Sequence, residues 1–195
     1  MKKILIMTIL TLTFIITILV SNAKSNQLIY TEVVAVPDVN KQALFQRANI
    51  WAVSAFNNAK TAIQVNDKES GQIIGKSALK YRQSFIGGSN NTLGYINFVF
   101  KIFIKDGRYK YEFSEFVHEA SLSTSGLRED FGLITEDKEY QGKMVGVGFL
   151  KPSKSWVDDV WKDMKIQIER EILYGAISSL KEVMINKGDK NNDNW

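Results

Sequence analysis

The dipeptide Asp106-Gly107 sits between two runs in which apolar and polar residues alternate, from Tyr95 to His118. It favours a two-residue type I′ turn, because aspartate and glycine both tolerate a positive φ. A two-residue turn fixes the register of the strands it joins. Ile104 must face Tyr109, Ile102 face Tyr111 and Phe100 face Phe113, all on one side of the ribbon. The other side pairs Lys105 with Arg108, Phe103 with Lys110, Lys101 with Glu112 and Asn97 with Phe116, and it sets Tyr95 opposite His118. One side is purely apolar and the other mixed. That is the pattern of an antiparallel sheet packed on one face only.

The rest of the chain supplies the partners of this hairpin. Leu28 to Val36 is β-branched and reads as a strand ended by Pro37-Asp38. Asn40 is the N-cap of a helix expected to reach about Asn58, with Leu44, Ala48, Trp51 and Ala55 on one stripe and Phe45, Ala52 and Phe56 widening it. A short strand at Ile63–Val65, a turn at Asp67–Gly71 and a longer strand from Gln72 to about Tyr81 follow. Gly87 to Thr92 is a polar loop, and its Asn90-Asn91-Thr92 triplet reads as loop rather than as a glycosylation site. Residues 119–152 form a long excursion in which Ser121–Gly126 is loop and only Met144–Leu150 looks strand-like. A second helix runs from Ser153 or Ser155 to about Asn186 on a stripe through Trp156, Val160, Met164, Ile168, Ile172, Ala176, Leu180 and Val183, with a kink or a break expected around Tyr174-Gly175. Residues 187–195 read as a disordered tail. The expectation is a single α+β domain over 28–186. Its antiparallel sheet of about five strands carries two helices on one face, in the order β-α-β-β-β-β-α.

The N-terminus sets the expected address. Lys2 and Lys3 precede a stretch without charges from Ile4 to Val20, and Ser21-Asn22-Ala23 closes it with small residues at the positions a signal peptidase reads. Residues 1–23 therefore read as a signal peptide, the mature chain starting at Lys24 in the periplasm or beyond. The alternative is an uncleaved anchor in the inner membrane, the only case in which the chain would contact a membrane. Without its two leader lysines the chain carries 23 basic against 21 acidic residues, a near-balance that argues against nucleic acid as a partner. It has no cysteine, which excludes disulfides, thiolate metal sites and thiol nucleophiles.

Three stretches carry a family resemblance: Val33-Val34-Ala35-Val36-Pro37, Asn66-Asp67-Lys68-Glu69-Ser70-Gly71-Gln72-Ile73-Ile74-Gly75-Lys76, and Ile104 to Tyr111. With the element order, they resemble exported bacterial domains of unknown function with a TBP-like fold, that of one repeat of the TATA-box-binding protein. The resemblance covers about residues 30–118 and the last helix and implies the fold. It implies no activity and no site residues.

The residues themselves offer little catalytic chemistry. Ser70-Gly71 to Lys76-Ser77 has three residues between its glycines where a P-loop needs four. His118 is the only histidine and reads as a sheet-edge residue, with too few nitrogen ligands beside it for a zinc centre. The acidic groups Glu129-Asp130, Glu136-Asp137-Glu139 and Asp158-Asp159 lack calcium-loop spacing. No catalytic residue, cofactor or metal is expected. What remains is the mixed side of the sheet. Tyr95, Lys101, Phe103, Lys110 and Phe116 form a candidate partner-binding face, with Val99 and Lys105 beside them and Lys76, Lys80 and Arg82 on the neighbouring strand. Aromatic rings among long cationic stems suit an envelope protein, a peptide or a glycan. The sequence thus predicts a non-enzymatic binding or assembly module. The rival expectation is a hydrolase of an envelope polymer with its site in the 119–152 excursion.

Overall fold

The computed structural model describes residues 26–55, 62–146 and 151–185. The expected signal peptide and the expected tail lie outside the described residues. In chain order the elements are β1 (Tyr30–Ala35), α1 (Lys41–Ser54), β2 (Ala62–Asp67), β3 (Gln72–Tyr81), β4 (Gly94–Lys105), β5 (Arg108–Ala120) and β6 (Gly132–Leu133). A helical rod follows, made of α2 (Lys154–Ile168), a π-helical stretch (Glu169–Ile177) and α3 (Ser178–Ile185). The sheet is antiparallel in the order β1-β5-β4-β3-β2, with β6 joined to β5. The expected order holds, with β6 as an addition from the excursion.

The apolar side of the hairpin is the core. Phe100, Ile102, Ile104, Tyr109, Tyr111 and Phe113 are buried in one cluster with Leu44, Ala48 and Trp51 of α1 and Val160, Met164, Ile168 and Leu180 of the rod. Trp51 meets Phe100 and Phe113 edge-on, with ring centroids 5.8 and 6.2 Å apart. Its indole N–H donates to Ser179 Oγ at 3.0 Å, and Arg47 donates to the Met184 carbonyl at 2.7 Å. These bonds tie α1 to the end of the rod. Truncating such a core aromatic typically costs about 3–5 kcal/mol.

Both helices begin where the sequence places their caps. Asn40 Oδ1 accepts from the Ala43 amide at 2.9 Å, and the Ser153 side chain accepts from the Trp156 amide. α1 ends at Ser54, and Phe56 to Asn58 lie outside the described residues. Around Tyr174-Gly175 the rod does not break. It passes instead into the π-helical stretch, which keeps Ile172, Ala176 and Ile177 buried.

Two local expectations are corrected. The hairpin turn is not type I′, because of its two central residues only Gly107 has a positive φ, of 70°. Tertiary contacts set its shape. Asp106 Oδ1 accepts the Lys41 amide at 2.7 Å, the Gly107 amide donates to Val39 O at 2.9 Å, and Gly107 O accepts from Val36 at 2.8 Å. The Asp106 carboxylate thereby serves an amide at the N-terminus of α1, where the helix dipole favours negative charge.

The second correction concerns register. From Lys105↔Arg108 to Val99↔Ser114 the pairing is the one the turn dictates. Beyond it, Asn97 pairs with Val117, Ile96 with His118 and Tyr95 with Glu119. Glu115 and Phe116 of β5 together face Phe98, and Glu115 adopts a left-handed φ of 57°. This β-bulge moves every later residue of β5 to the opposite side. Phe116 and His118 therefore enter the core, each with no exposed surface.

Residues of the 119–152 excursion extend this core. β6 pairs with Val117 and His118 of β5, beyond the end of β1, and Phe131, Ile134 and Tyr140 pack into the cluster under Trp161. Of the stretch expected as strand-like, Val145 bridges Asp130, and residues 147–150 lie outside the described ones.

Candidate binding face

The sheet side opposite the helices collects one residue in two from each strand. Pairing places Val33 beside Lys110, Lys110 beside Phe103 and Phe103 beside Gln72 in one row. The next row is Thr31, Glu112, Lys101 and Ile74, and the third brings Ser114, Val99 and Lys76 together. Tyr95 lies between Glu119 and Lys80 at the far end. Four of the five expected face residues, Tyr95, Lys101, Phe103 and Lys110, are on this side and half-buried. Phe116 is not. The bulge carries it to the core, where it stacks on Phe98 at 5.7 Å and meets Tyr30 edge-on at 6.0 Å.

The face is electrically divided. In its middle Lys101 Nζ reaches Glu112 Oε1 at 2.8 Å, Ser114 donates to the same carboxylate at 3.3 Å, and Lys110 lies 4.0 Å away. The bond from Lys101 is the main reason why the Glu112 carboxyl is held below its ordinary range, with Ser114 and Lys110 adding to it. That belt is internally neutralised. The far end is mixed, with Asn97 donating to Glu119 at 2.9 Å.

The hairpin end differs from both. A depression of about 570 Å³ opens there, lined by Val33, Ser70, Gln72, Phe103, Lys105, Arg108 and Lys110 among others. Val33 is 62% exposed, and Lys105 and Arg108 are exposed on either side of the turn. The nearest acids have other work. Asp106 binds the start of α1, and Asp67 Oδ1 accepts the Glu69 and Ser70 amides at 2.8 and 3.2 Å. The result is an apolar floor with a rim on which Lys105 and Arg108 stand exposed, without an ion pair among the described residues. Sequence reading missed Val33, Gln72 and Arg108 as members of this site. Alternation marks the outward side of β1, but only long-range pairing reveals that β1 lies against β5.

His118, the one candidate for acid–base work, is a core residue rather than a sheet-edge one. Its Nδ1 accepts the Phe131 amide at 3.2 Å, so Nε2 carries the proton and donates it to the Thr92 carbonyl at 3.0 Å. Tyr81 and Phe131 pack edge-on against the ring. Burial pushes its pKa down to about 4. Both nitrogens are thus committed to backbone groups. The excursion acid whose charge acts on the ring, Asp130, accepts the Ala120 amide at 2.7 Å and pairs with Arg128 at 3.2 Å.

Residues 30–119 match the model of a family described as a domain of unknown function (DUF4468) with TBP-like fold. The resemblance read from the sequence therefore stands. The chain is also similar to a solved TBP-like protein from Parabacteroides distasonis ATCC 8503, at 14% identity and a TM-score of 0.54, over 84% of this chain and 96% of that one. That likeness shows a TBP-like fold. A DUF4468 family protein from Bacteroides ovatus ATCC 8483 aligns at 10% identity and a TM-score of 0.47, over 86% of this chain and 91% of that one. A comparison with curated proteins found no match.

Proposed function

We propose that this protein is exported and acts as a non-enzymatic binding or assembly module of the cell envelope, meeting its partner through the sheet face opposite the helices. The observation that carries this reading is the exposure of Val33 and the half-exposure of Phe103 among Lys105, Arg108 and Lys110, at the hairpin end of that face. Apolar groups left beside cationic stems favour a contact surface. The fold by itself assigns no function. Export is supported by Lys2, Lys3, the charge-free stretch to Val20 and Ser21-Asn22-Ala23.

A photo-reactive residue in place of Gln72 tests the contact. It should give a discrete adduct in the native envelope that disappears when Phe103 and Lys110 are both changed to serine. The melting temperature should stay within a few degrees of the parent's. An adduct that survives, or a large loss of stability, would show that these residues do not form the contact. Intact mass of the exported chain should begin at Lys24.

A further inference from the structure

Resting on that reading, we infer that the hairpin end of the face takes an acidic peptide segment of the partner, with one apolar side chain seated over Val33 and Phe103 and its carboxylates on Lys105, Arg108 and Lys110. Three features of the site select this chemistry. The first is charge. Lys105 and Arg108 flank the turn in solvent without an ion pair among the described residues, and Lys110 shares Glu112, 4.0 Å away, with Lys101. Anionic groups would find these cations beside an apolar depression, whereas the exposed Lys76 and Lys80 lie further along the face. Complementarity of this kind steers encounter and fixes orientation.

The second feature is shape. A depression of about 570 Å³ is in the range of sites that enclose a small ligand or one or two side chains. Its floor is apolar, so a purely polar polyanion would leave Val33 and Phe103 unused. A lipid surface is broad and cannot follow a concavity, whereas a side chain projecting from a peptide can enter it. The third feature is the polar pair Ser70 and Gln72 on the wall of the depression. The Gln72 amide offers both donors and an acceptor to peptide groups passing over the floor, and the Ser70 hydroxyl, whose proton goes to Asp67, an acceptor.

The test is a titration of the ¹⁵N-labelled mature protein with a capped peptide of two aspartates, a phenylalanine and two glutamates, followed by amide shifts. Saturable shifts at millimolar peptide or below, centred on Val33, Gln72, Phe103, Lys105, Arg108 and Lys110 and weakened by added salt, are expected. The Asn/Gln counterpart of the peptide and the version with glycine for phenylalanine should each bind at least about tenfold more weakly. So should the Lys105→Glu/Arg108→Glu protein, whose two sites are exposed and whose melting temperature should be unchanged. Absence of shifts overturns the inference, as does equal binding of the uncharged peptide. Shifts produced at these residues by phosphatidylglycerol vesicles but not by the peptide would assign the site to lipid instead. Loss of the peptide interaction with survival of the Gln72-position adduct would retire this inference and leave the broader reading in place. Loss of both would retire both.

Discussion

The imidazole Nε2–H of His118 donates to the carbonyl of Thr92 at 3.0 Å, binding β5 to the 3₁₀ turn at Asn90–Thr92 that leads into β4. The bond joins two fully buried groups. Nε2 could keep this bond in either charge state, but the pair of bonds holds only while the ring is neutral, because Nδ1 must stay free of a proton to accept the Phe131 amide. Protonation would place an extra donor against a donor at a position with no exposed surface.

A pH dependence follows from this. The pKa of His118 is about 4 in the folded chain, against about 6.5 when unfolded. Between these values the unfolded state binds the additional proton, so stability rises with pH across the window and falls as the solution is acidified. The full effect is of the order of 3 kcal/mol. Urea denaturation at intervals from pH 7 to pH 4 should show this loss for the parent. His118→Gln should lower stability at pH 7 but flatten the slope over the same range. A variant with the parental slope would place the titration in other groups.

Glu115 supports a second prediction. Its left-handed φ of 57° costs an L-residue about 1–2 kcal/mol, a strain held in place by the Phe98–Phe116 stack on one side of the bulge and the Ser114–Val99 pair on the other. Glu115→Gly removes that strain but frees the unfolded chain, so stability should change by no more than about 1 kcal/mol in either direction. Deleting Glu115 removes the extra residue and with it the bulge. Phe116 then faces Phe98, while Val117 stays opposite Asn97 and His118 opposite Ile96, so both Phe116 and His118 keep to the core side. The deletion variant should still unfold cooperatively. Loss of cooperative unfolding on deletion would refute the assigned register.

The same residue explains what could be read from the chain and what could not. Alternation and the Asp-Gly dipeptide sufficed for Phe100, Ile102, Tyr109, Tyr111 and Phe113, because pairing close to a tight turn is a local property. The caps Asn40 and Ser153 were legible for the same reason. A bulge at a glutamate leaves no glycine to announce it, so Phe116 was assigned to the open face and His118 to a sheet edge. Phe131, Ile134 and Tyr140 were opaque because their burial depends on β6 joining β5 and on Trp161 arriving from the rod, both long-range events. Of the binding face, the lysines and Phe103 were visible in the pattern. The gathering of Lys105 and Arg108 around an apolar depression was not, since that depends on β1 and β3 arriving on either side of the hairpin.

Asp163 carries the last prediction. It lies on α2, 8% exposed, and its carboxylate accepts the Tyr81 hydroxyl at 3.0 Å, the Ser84 amide at 3.2 Å and the Ser84 hydroxyl. These three bonds fasten the end of β3 to the rod and start the loop that runs on to β4. Burial, and then the neighbouring Asp163 charge, raise the Tyr81 phenol well above its ordinary value, so it remains a donor at any working pH. Asp163→Ala should cost about 2–4 kcal/mol, since hydrogen bonds to a charged group are worth about 1.5–3 kcal/mol each and Tyr81 is left with a buried unpaired hydroxyl. Tyr81→Phe alone removes only one of the three bonds and should cost about 1–2 kcal/mol. Made together, the two changes should cost at least about 1 kcal/mol less than their sum, because the double variant has no stranded hydroxyl. Chemical denaturation of the four proteins measures this coupling directly. Strict additivity would mean that Tyr81 and Asp163 hold their elements independently of one another.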